Sequence, residues 1–377
     1  MGYMNYNERY TDLHNNYKQG TDIYLNETKV EIKFFNFNSV YNECDNALLA
    51  TDNSISENRS FLYPMFIPGK SKRNKYNSAI ILLHGLNERS WEKYLTWAEY
   101  LCINSGKPVI LFPIAFHINR APLSWSNPRK MMTLLNFRKE MYAEDKSMSF
   151  ANVALSDRLS HNPERFYMSG RQTWADLTSL FEMIKNGNHP LFNEDSKIDI
   201  FAYSIGAFLS QVALIANQKN LFSNTKLFMF CGGSIFNSMQ GASRNIMDKP
   251  AFQAVKDYYV NCFDKEKHTT SLKWIRDKAF KAFNSMITAD THKHEREESF
   301  FRLSNQIKGI TLLKDEVIPH EGVVEALGKE NAMSNITLLD FDFPYTHENP
   351  FPLKTKDTAL LNKSFTTVFD EALAFFS

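Results

Sequence analysis

The feature that most constrains this chain is a series of short, almost wholly apolar runs that begins at residue 78. They are 78–83 (SAIILL), 108–115 (PVILFPIA), 198–202 (IDIFA), 227–231 (LFMFC), 310–313 (ITLL) and 336–341 (ITLLDF). The runs 78–83 and 108–115 have the continuous apolar pattern of a strand buried on both faces, and the others read as further strands. Between the runs, apolar residues fall at helical spacing. One such segment holds Trp91, Tyr94, Leu95, Ala98 and Leu101, with Ser90 placed to cap it. Others hold Trp174, Leu177, Leu180, Phe181 and Ile184, then Phe208, Val212 and Ile215, and finally Leu361, Phe365, Val368, Phe369 and Ala372. A further helix near 321–327 ends at Gly328. Strands alternating with helices predict an α/β fold: a mostly parallel, doubly wound sheet covered on both faces.

Two stretches break the alternation, about 116–168 and 232–306. Both exceed an ordinary connection, so each is expected to be an insertion with its own structure. The second starts directly after the run 227–231 and is mostly helical in pattern. It carries Trp274, Phe280, Phe283, Met286, Phe300 and Phe301 among many charges, which either roof a pocket as a helical lid or pack the insertion onto the core. The first carries Trp125, Met131, Met132, Phe137 and Met141 and could supply a second wall. Upstream, residues 1–59 read as an N-terminal arm and a first strand at 29–37 (KVEIKFFNF). A polar loop at 52–59 leads to the strand 60–67 (SFLYPMFI), which opens a domain running over 60–377.

Charge narrows the function classes. Lys and Arg number 43 against 42 Asp and Glu, a net charge of +1 in 377 residues, a balance that argues against binding nucleic acid through a basic face, although it leaves room for a local patch. No run approaches the ~18–20 apolar residues of a membrane span. Four cysteines, Cys44, Cys102, Cys231 and Cys262, lie far apart without a CxxC, so reduced, mostly buried thiols are expected rather than a disulfide pair or a metal site. The first twenty residues are polar and lack the apolar segment of a secretory signal. Tyr6 stands where a myristoylation signal needs Ser or Thr. A cytoplasmic location is the expectation.

The chemistry is concentrated at four places. In 198–211 (IDIFAYSIGAFLSQ) a strand runs through Ala202, Tyr203, Ser204, Ile205 and Gly206 straight into a helix. This resembles the G-x-S-x-G nucleophile elbow of the α/β-hydrolase superfamily, with Ala202 in place of the first glycine. A serine on so tight a turn lifts its hydroxyl above the sheet edge, and the residues two before and two after it must be small. At 81–91 (ILLHGLNERSW) a His-Gly pair ends a buried strand, as in the oxyanion loop of that superfamily. The resemblance implies that the backbone N–H groups of Leu86 and Ile205 face a substrate oxygen, with His84 shaping the loop. At 309–319 (GITLLKDEVIP) an acid follows a short strand, and the resemblance assigns Asp315, with Glu316 its neighbour and rival, to orient a histidine. His347 lies in the loop after the last strand, where the superfamily keeps its general base, with Asp340 and Asp342 as other acids near it. His320 follows the acid turn too closely to serve, and His292 and His294 sit in a charged stretch that reads as a solvated helix face.

The order Ser204, Asp315, His347 is the order of the α/β-hydrolases, each residue following a predicted strand at the carboxyl edge. The resemblance covers about 78–377 and implies an α/β-hydrolase-type sheet with helical lid insertions. It also implies a serine hydrolase that cleaves an acyl ester, thioester or amide of a small or medium substrate through an acyl-enzyme. An acyltransferase would use the same residues. A non-catalytic binding protein of the same fold is the other reading, suggested by Ala202 and by Glu88, a carboxylate in the oxyanion segment. A cysteine nucleophile at Cys231 or Cys102 has no supporting histidine. No phosphate loop, strand–GxGxxG–helix, HExxH or EF-hand loop is present, so no metal or organic cofactor is implied.

Overall fold

The computed structural model describes residues 5–39, 50–69, 75–270 and 277–377. Cys44 and Trp274 lie outside the described residues. The core is a nine-stranded sheet: β1 (Ile23–Leu25), β2 (Val30–Asn38), β3 (Ser60–Pro68), β4 (Tyr76–Leu83), β5 (Val109–Leu111), β6 (Phe192–Tyr203), β7 (Leu227–Phe230), β8 (Ile307–Leu312) and β9 (Ile336–Leu339). Their order across the sheet is β1-β2-β3-β5-β4-β6-β7-β8-β9. The pairings β1–β2, β2–β3 and β3–β5 are antiparallel, and every pairing from β5 through β4 to β9 is parallel. Six parallel strands joined by helical crossovers, with an antiparallel flank, give an open, mostly parallel α/β sheet of the α/β-hydrolase type.

The pleat sorts the apolar runs between two cores. Ile81, Leu83, Ile198, Ile200, Ala202 and Met229 face one way, against Leu177, Phe181 and Ile184 of the long helix Glu164–Lys185. Ile80, Leu82, Phe201, Tyr203, Phe228 and Phe230 face the other way, against the helices Glu92–Ser105 and Thr358–Phe376. That is why these strands read as continuous apolar runs. Trp97 centres the second core, with ring centroids of Tyr94, Tyr203 and Phe369 at 5.0, 5.2 and 5.5 Å. Each such side chain removed from water contributes about 1.5–3 kcal/mol.

Several local expectations are revised. Trp91, not Ser90, occupies the cap position of the helix Glu92–Ser105, and no side chain caps it. The run 108–115 is extended only over Val109–Leu111. Phe112 still donates to the Leu82 carbonyl, but Pro113 has no N–H with which to continue the ladder. The stretch 52–59 holds two short helical turns, Ala50–Asn53 and Ser56–Arg59, which bury Asp52 and Asn58. The N-terminal segment forms the helix Tyr6–Asn16 and docks on the sheet's helical layer. Tyr6 packs against Phe365 with ring centroids 4.8 Å apart, its N–H donates to Asn362, and Arg9 forks onto buried Glu99 at 3.0 and 2.7 Å.

The two long stretches fold against each other above the carboxyl edge. The first contributes the helices Pro128–Met141 and Val153–His161, and the second the helices Lys249–Asp257, Lys278–Ser285 and Lys293–Arg302. Arg138 binds both oxygens of Asp248 at 2.8 Å, with both side chains buried. Asp248 in turn caps its own helix through the N–H of Ala251. Among the described residues no helix is long and apolar enough to cross a membrane.

Candidate active site

Ser204 is the residue between β6 and the helix Ile205–Ala216, and its backbone sits at φ 55°, ψ −123°. A non-glycine residue held there costs on the order of 1–3 kcal/mol and persists only where its surroundings enforce it. They do so through close backbone approach. A Cβ on Gly206 would lie 2.9 Å from the carbonyl oxygens of Leu83 and His84, and one on Gly232 would lie 2.7 Å from the Ser204 carbonyl oxygen. The methyl of Ala202 is accommodated, wholly buried in the first core.

Strand ends bring Asp315 and His347 to the same point. The Ser204 hydroxyl lies 2.8 Å from His347 Nε2, and His347 Nδ1 lies 2.8 Å from Asp315 Oδ2. All three side chains are buried. The second oxygen of Asp315 accepts the N–H groups of Val317 (3.0 Å) and Ile318 (2.8 Å), so the turn after β8 both solvates and aims the carboxylate. The rival acids are turned elsewhere. Glu316 is exposed, and Asp340 accepts from Tyr345 at 2.8 Å and pairs with Lys314 at 3.0 Å. His320 hydrogen-bonds to Thr311 behind the turn. His292 and His294 are exposed at the start of the helix Lys293–Arg302.

The loop after β4 is fixed from three sides. His84 Nε2 accepts the N–H of Ile114 at 2.9 Å, so its Nδ1–H donates to the Gly85 carbonyl at 2.8 Å. Burial, reinforced by His117, holds the His84 pKa well below the ordinary imidazole value, which keeps the ring neutral and out of proton transfer. The Tyr94 hydroxyl accepts the N–H of Gly85 at 3.0 Å and donates to Glu88 at 2.6 Å. Glu88 Oε1 also pairs with Lys93 at 2.5 Å. Its charge is thereby neutralised within its own loop. Among the described residues no acceptor pairs with the N–H of Leu86 or of Ile205.

Sequence reasoning missed the support of this site. Tyr203 stacks on the His347 ring at 5.5 Å and donates to the His347 carbonyl. Lys93 lies 4.7 Å over the Tyr203 ring and donates to the Glu348 carbonyl at 3.0 Å. Ser243 of the second insertion donates to the Glu348 carboxylate at 2.6 Å. Asn87 donates to Ala151 and Asn245, one in each insertion, at 2.8 and 2.7 Å. The only signal for these partners was their position beside the motifs. Cys231 and Cys102 have no such role, and Cys262 is exposed. Burial, with Asp315 nearby, raises the Cys231 thiol well above its usual pKa, and burial does the same for Cys102.

A cavity of about 200 Å³ opens beside Leu86 and Ile205. Its walls come mainly from the first insertion and the start of the helix Glu164–Lys185, with Phe116, Trp125, Phe166 and Phe208 prominent. The second insertion supplies only Ala279 and Phe283 among the described lining. Phe280, Met286 and Phe300 are buried in the first core, and Phe301 is exposed.

A protein family described as "Family of unknown function (DUF6051)" matches residues 4–377. No curated protein matches the chain. Among solved structures, vibralactone cyclase is similar over 99% of this chain and 86% of its own, at 13% identity and a TM-score of 0.47. An esterase of Pyrobaculum calidifontis covers 98% and 91%, at 10% identity and 0.46. EstE1, a thermophilic carboxylesterase cloned from a metagenomic library, covers 98% and 93%, at 12% identity and 0.44. The fold stands on the strand order rather than on these distant likenesses.

Proposed function

The chain belongs to the DUF6051 family, and we propose that it is a serine hydrolase that cleaves a carboxylic ester of a small or medium acyl group. The observation that carries the reading is the unbroken row of two 2.8 Å contacts from the Ser204 hydroxyl through His347 to Asp315, ending on a backbone-solvated carboxylate. In this reading Ser204 Oγ attacks the acyl carbonyl carbon as His347 Nε2 takes its proton. The carbonyl oxygen becomes an oxyanion held by the N–H groups of Leu86 and Ile205, at the positive end of the helix Ile205–Ala216. Collapse expels the alcohol, which receives the proton from His347. Water then gives its proton to His347, attacks the acyl-enzyme and releases the acid and free Ser204. Asp315 keeps the proton on Nδ1 and stabilises the imidazolium.

Two features favour turnover over a binding role. Strain at the Ser204 backbone has no evident value to a mere docking surface. Glu88, the carboxylate that could oppose an oxyanion, is instead engaged by Lys93 and Tyr94. The cavity beside Ile205 suits the acyl chain, and the two insertions would act as its lid.

The test is labelling with a fluorophosphonate probe, with mass mapping of the adduct. An adduct on Ser204, absent in Ser204→Ala, is the expected result and leads to p-nitrophenyl esters of increasing chain length. A folded protein that is not labelled, and hydrolyses none of those esters, would leave the binding-protein reading in its place.

A further inference from the structure

The cavity is apolar at its centre and cationic at its wall. Four arginines line it, Arg89, Arg158, Arg165 and Arg171, against one carboxylate, Glu88, which is neutralised by Lys93. Their partners are unequal. Arg171 is matched by Asp277. Arg158 and Arg165 share a single buried carboxylate, Asp52, with one oxygen each at 3.0 and 2.9 Å. Arg165 spends its other donors on the Arg158 carbonyl and on Thr51. Among the described residues Arg158 has no further hydrogen-bond partner. Asp157, the next residue back, makes no hydrogen bond to Arg158 and is shared with Arg138 and His161, though its charge still favours the Arg158 cation. The Arg158 guanidinium lies 4.1 Å over the Trp125 ring and 5.1 Å over Phe116, which leaves N–H groups that make no other hydrogen bond among the described residues. Among the described residues Arg89 pairs with no carboxylate. It donates to the carbonyls of Ala151 at 2.6 Å and Phe150 at 3.4 Å.

Guanidinium charge beyond what the local carboxylates offset is costly in a partly desolvated wall. Burial lowers the pKa of both Arg158 and Arg89, as expected of cations that lack full compensation, with Asp52 opposing the effect at Arg158. A planar fork with free edges matches a carboxylate or phosphate.

We infer that this cavity takes a substrate whose group beyond the scissile ester ends in an anion, a carboxylate or phosphate monoester, bound by Arg158 and Arg89. The inference rests on the serine-hydrolase reading for which bond is broken, but the binding itself does not. The apolar stretch lined by Phe208 and Leu86 would span the distance between ester and anion. A half-ester of a short dicarboxylic acid is the simplest molecule with this pattern.

The experiment is calorimetric titration of the full-length protein with glutarate, propyl phosphate and neutral 1-pentanol, in wild type, Arg158→Gln and Arg89→Gln. A second arm compares kcat/KM for the p-nitrophenyl half-ester of glutaric acid and the p-nitrophenyl ester of pentanoic acid. The expected result is binding of at least one anion, weakened tenfold or more in Arg158→Gln and less in Arg89→Gln. The loss of kcat/KM for the charged ester should exceed that for the neutral ester by a similar factor. Glutarate against propyl phosphate distinguishes the two anion chemistries. Since Arg158 also anchors Asp52, each variant is checked for a cooperative thermal transition, and Arg89→Gln tests the proposal if Arg158→Gln does not fold. Binding of neither anion, or anion binding that both variants retain in full, would overturn the inference whether or not esters are cleaved. Anion binding without any ester turnover would keep it and remove the hydrolase reading instead.

Discussion

The carboxyl edge of the sheet and the pair of insertions above it are built by different means. At the edge the backbone does the positioning. Ser204 is held by the approach of Gly206 to the Leu83 and His84 carbonyls, and Asp315 by the N–H groups of Val317 and Ile318. In the insertions, long charged side chains do it, as in Arg138–Asp248, Arg158–Asp52–Arg165 and Arg171–Asp277. A backbone frame fixes atoms to within a few tenths of an ångström, as a nucleophile requires. Ion pairs between long side chains fix a shape but leave its lining open to change.

The sharpest way to break this contrast is at the edge. Ser204→Ala should lower kcat by about 10⁵–10⁶-fold with no loss of thermal stability, since it removes the reacting atom and leaves the frame. A rate within tenfold of wild type would remove Ser204 from the chemistry. Asp315→Asn should lower kcat by about 10⁴-fold, because an amide cannot hold the same His347 tautomer. Steady-state rates read against an unchanged KM test that origin.

In the insertions the effect should fall on stability. Asp248→Asn strands the buried guanidinium of Arg138, a change that costs about 3–5 kcal/mol where one partner of a buried pair is lost. Urea denaturation measures it, and a loss below about 1 kcal/mol would show that the insertions are held chiefly by their apolar contacts.

Acid should act next. His117 and His189 are buried, and desolvation lowers each to a pKa of about 4. Unfolded histidines bind protons near pH 6.5, so the unfolded state gains more protons between 6.5 and 4. The stability they contribute is therefore full above about pH 6.5 and declines as pH falls toward 4, by at most a few kcal/mol. Urea midpoints across that window should fall with pH, and His117→Gln should flatten the fall. A midpoint that rises on acidification would contradict the assignment. The smallest expected effect is Tyr203→Phe, which removes the hydroxyl that holds the His347 carbonyl. About a tenfold loss in kcat with unchanged KM is expected, the size of one buried hydrogen bond. A rise in KM alone would place Tyr203 in the pocket rather than beneath the base.

The inner strands from β4 to β8 were legible because burial on both faces leaves mostly apolar residues to choose from, whereas β9 is a half-exposed edge strand with Leu338 exposed. The fold class followed from their alternation with helices. Ser204, Asp315 and His347 were legible as candidates because each follows a strand at the same edge. The Ser90 cap and the full strand at 108–115 were misread, since Trp91 takes the cap position and Pro113 ends the ladder. Arg89, Arg158 and Asp52 were not legible as a group at all. They come from three separate parts of the chain, and no local pattern marks an ion pair of sequence separation above one hundred.

The sequence by itself determined the period of its apolar residues, and with it the sheet, its two cores and the order of the candidate residues. Only the tertiary structure decided which acid faces His347, which carboxylate neutralises which arginine, and which insertion lines the cavity. Periodicity is a property of neighbours along the chain, set by the pleat and the helical turn. Charge pairing and cavity shape depend on distances between segments, which exist only after the chain has folded.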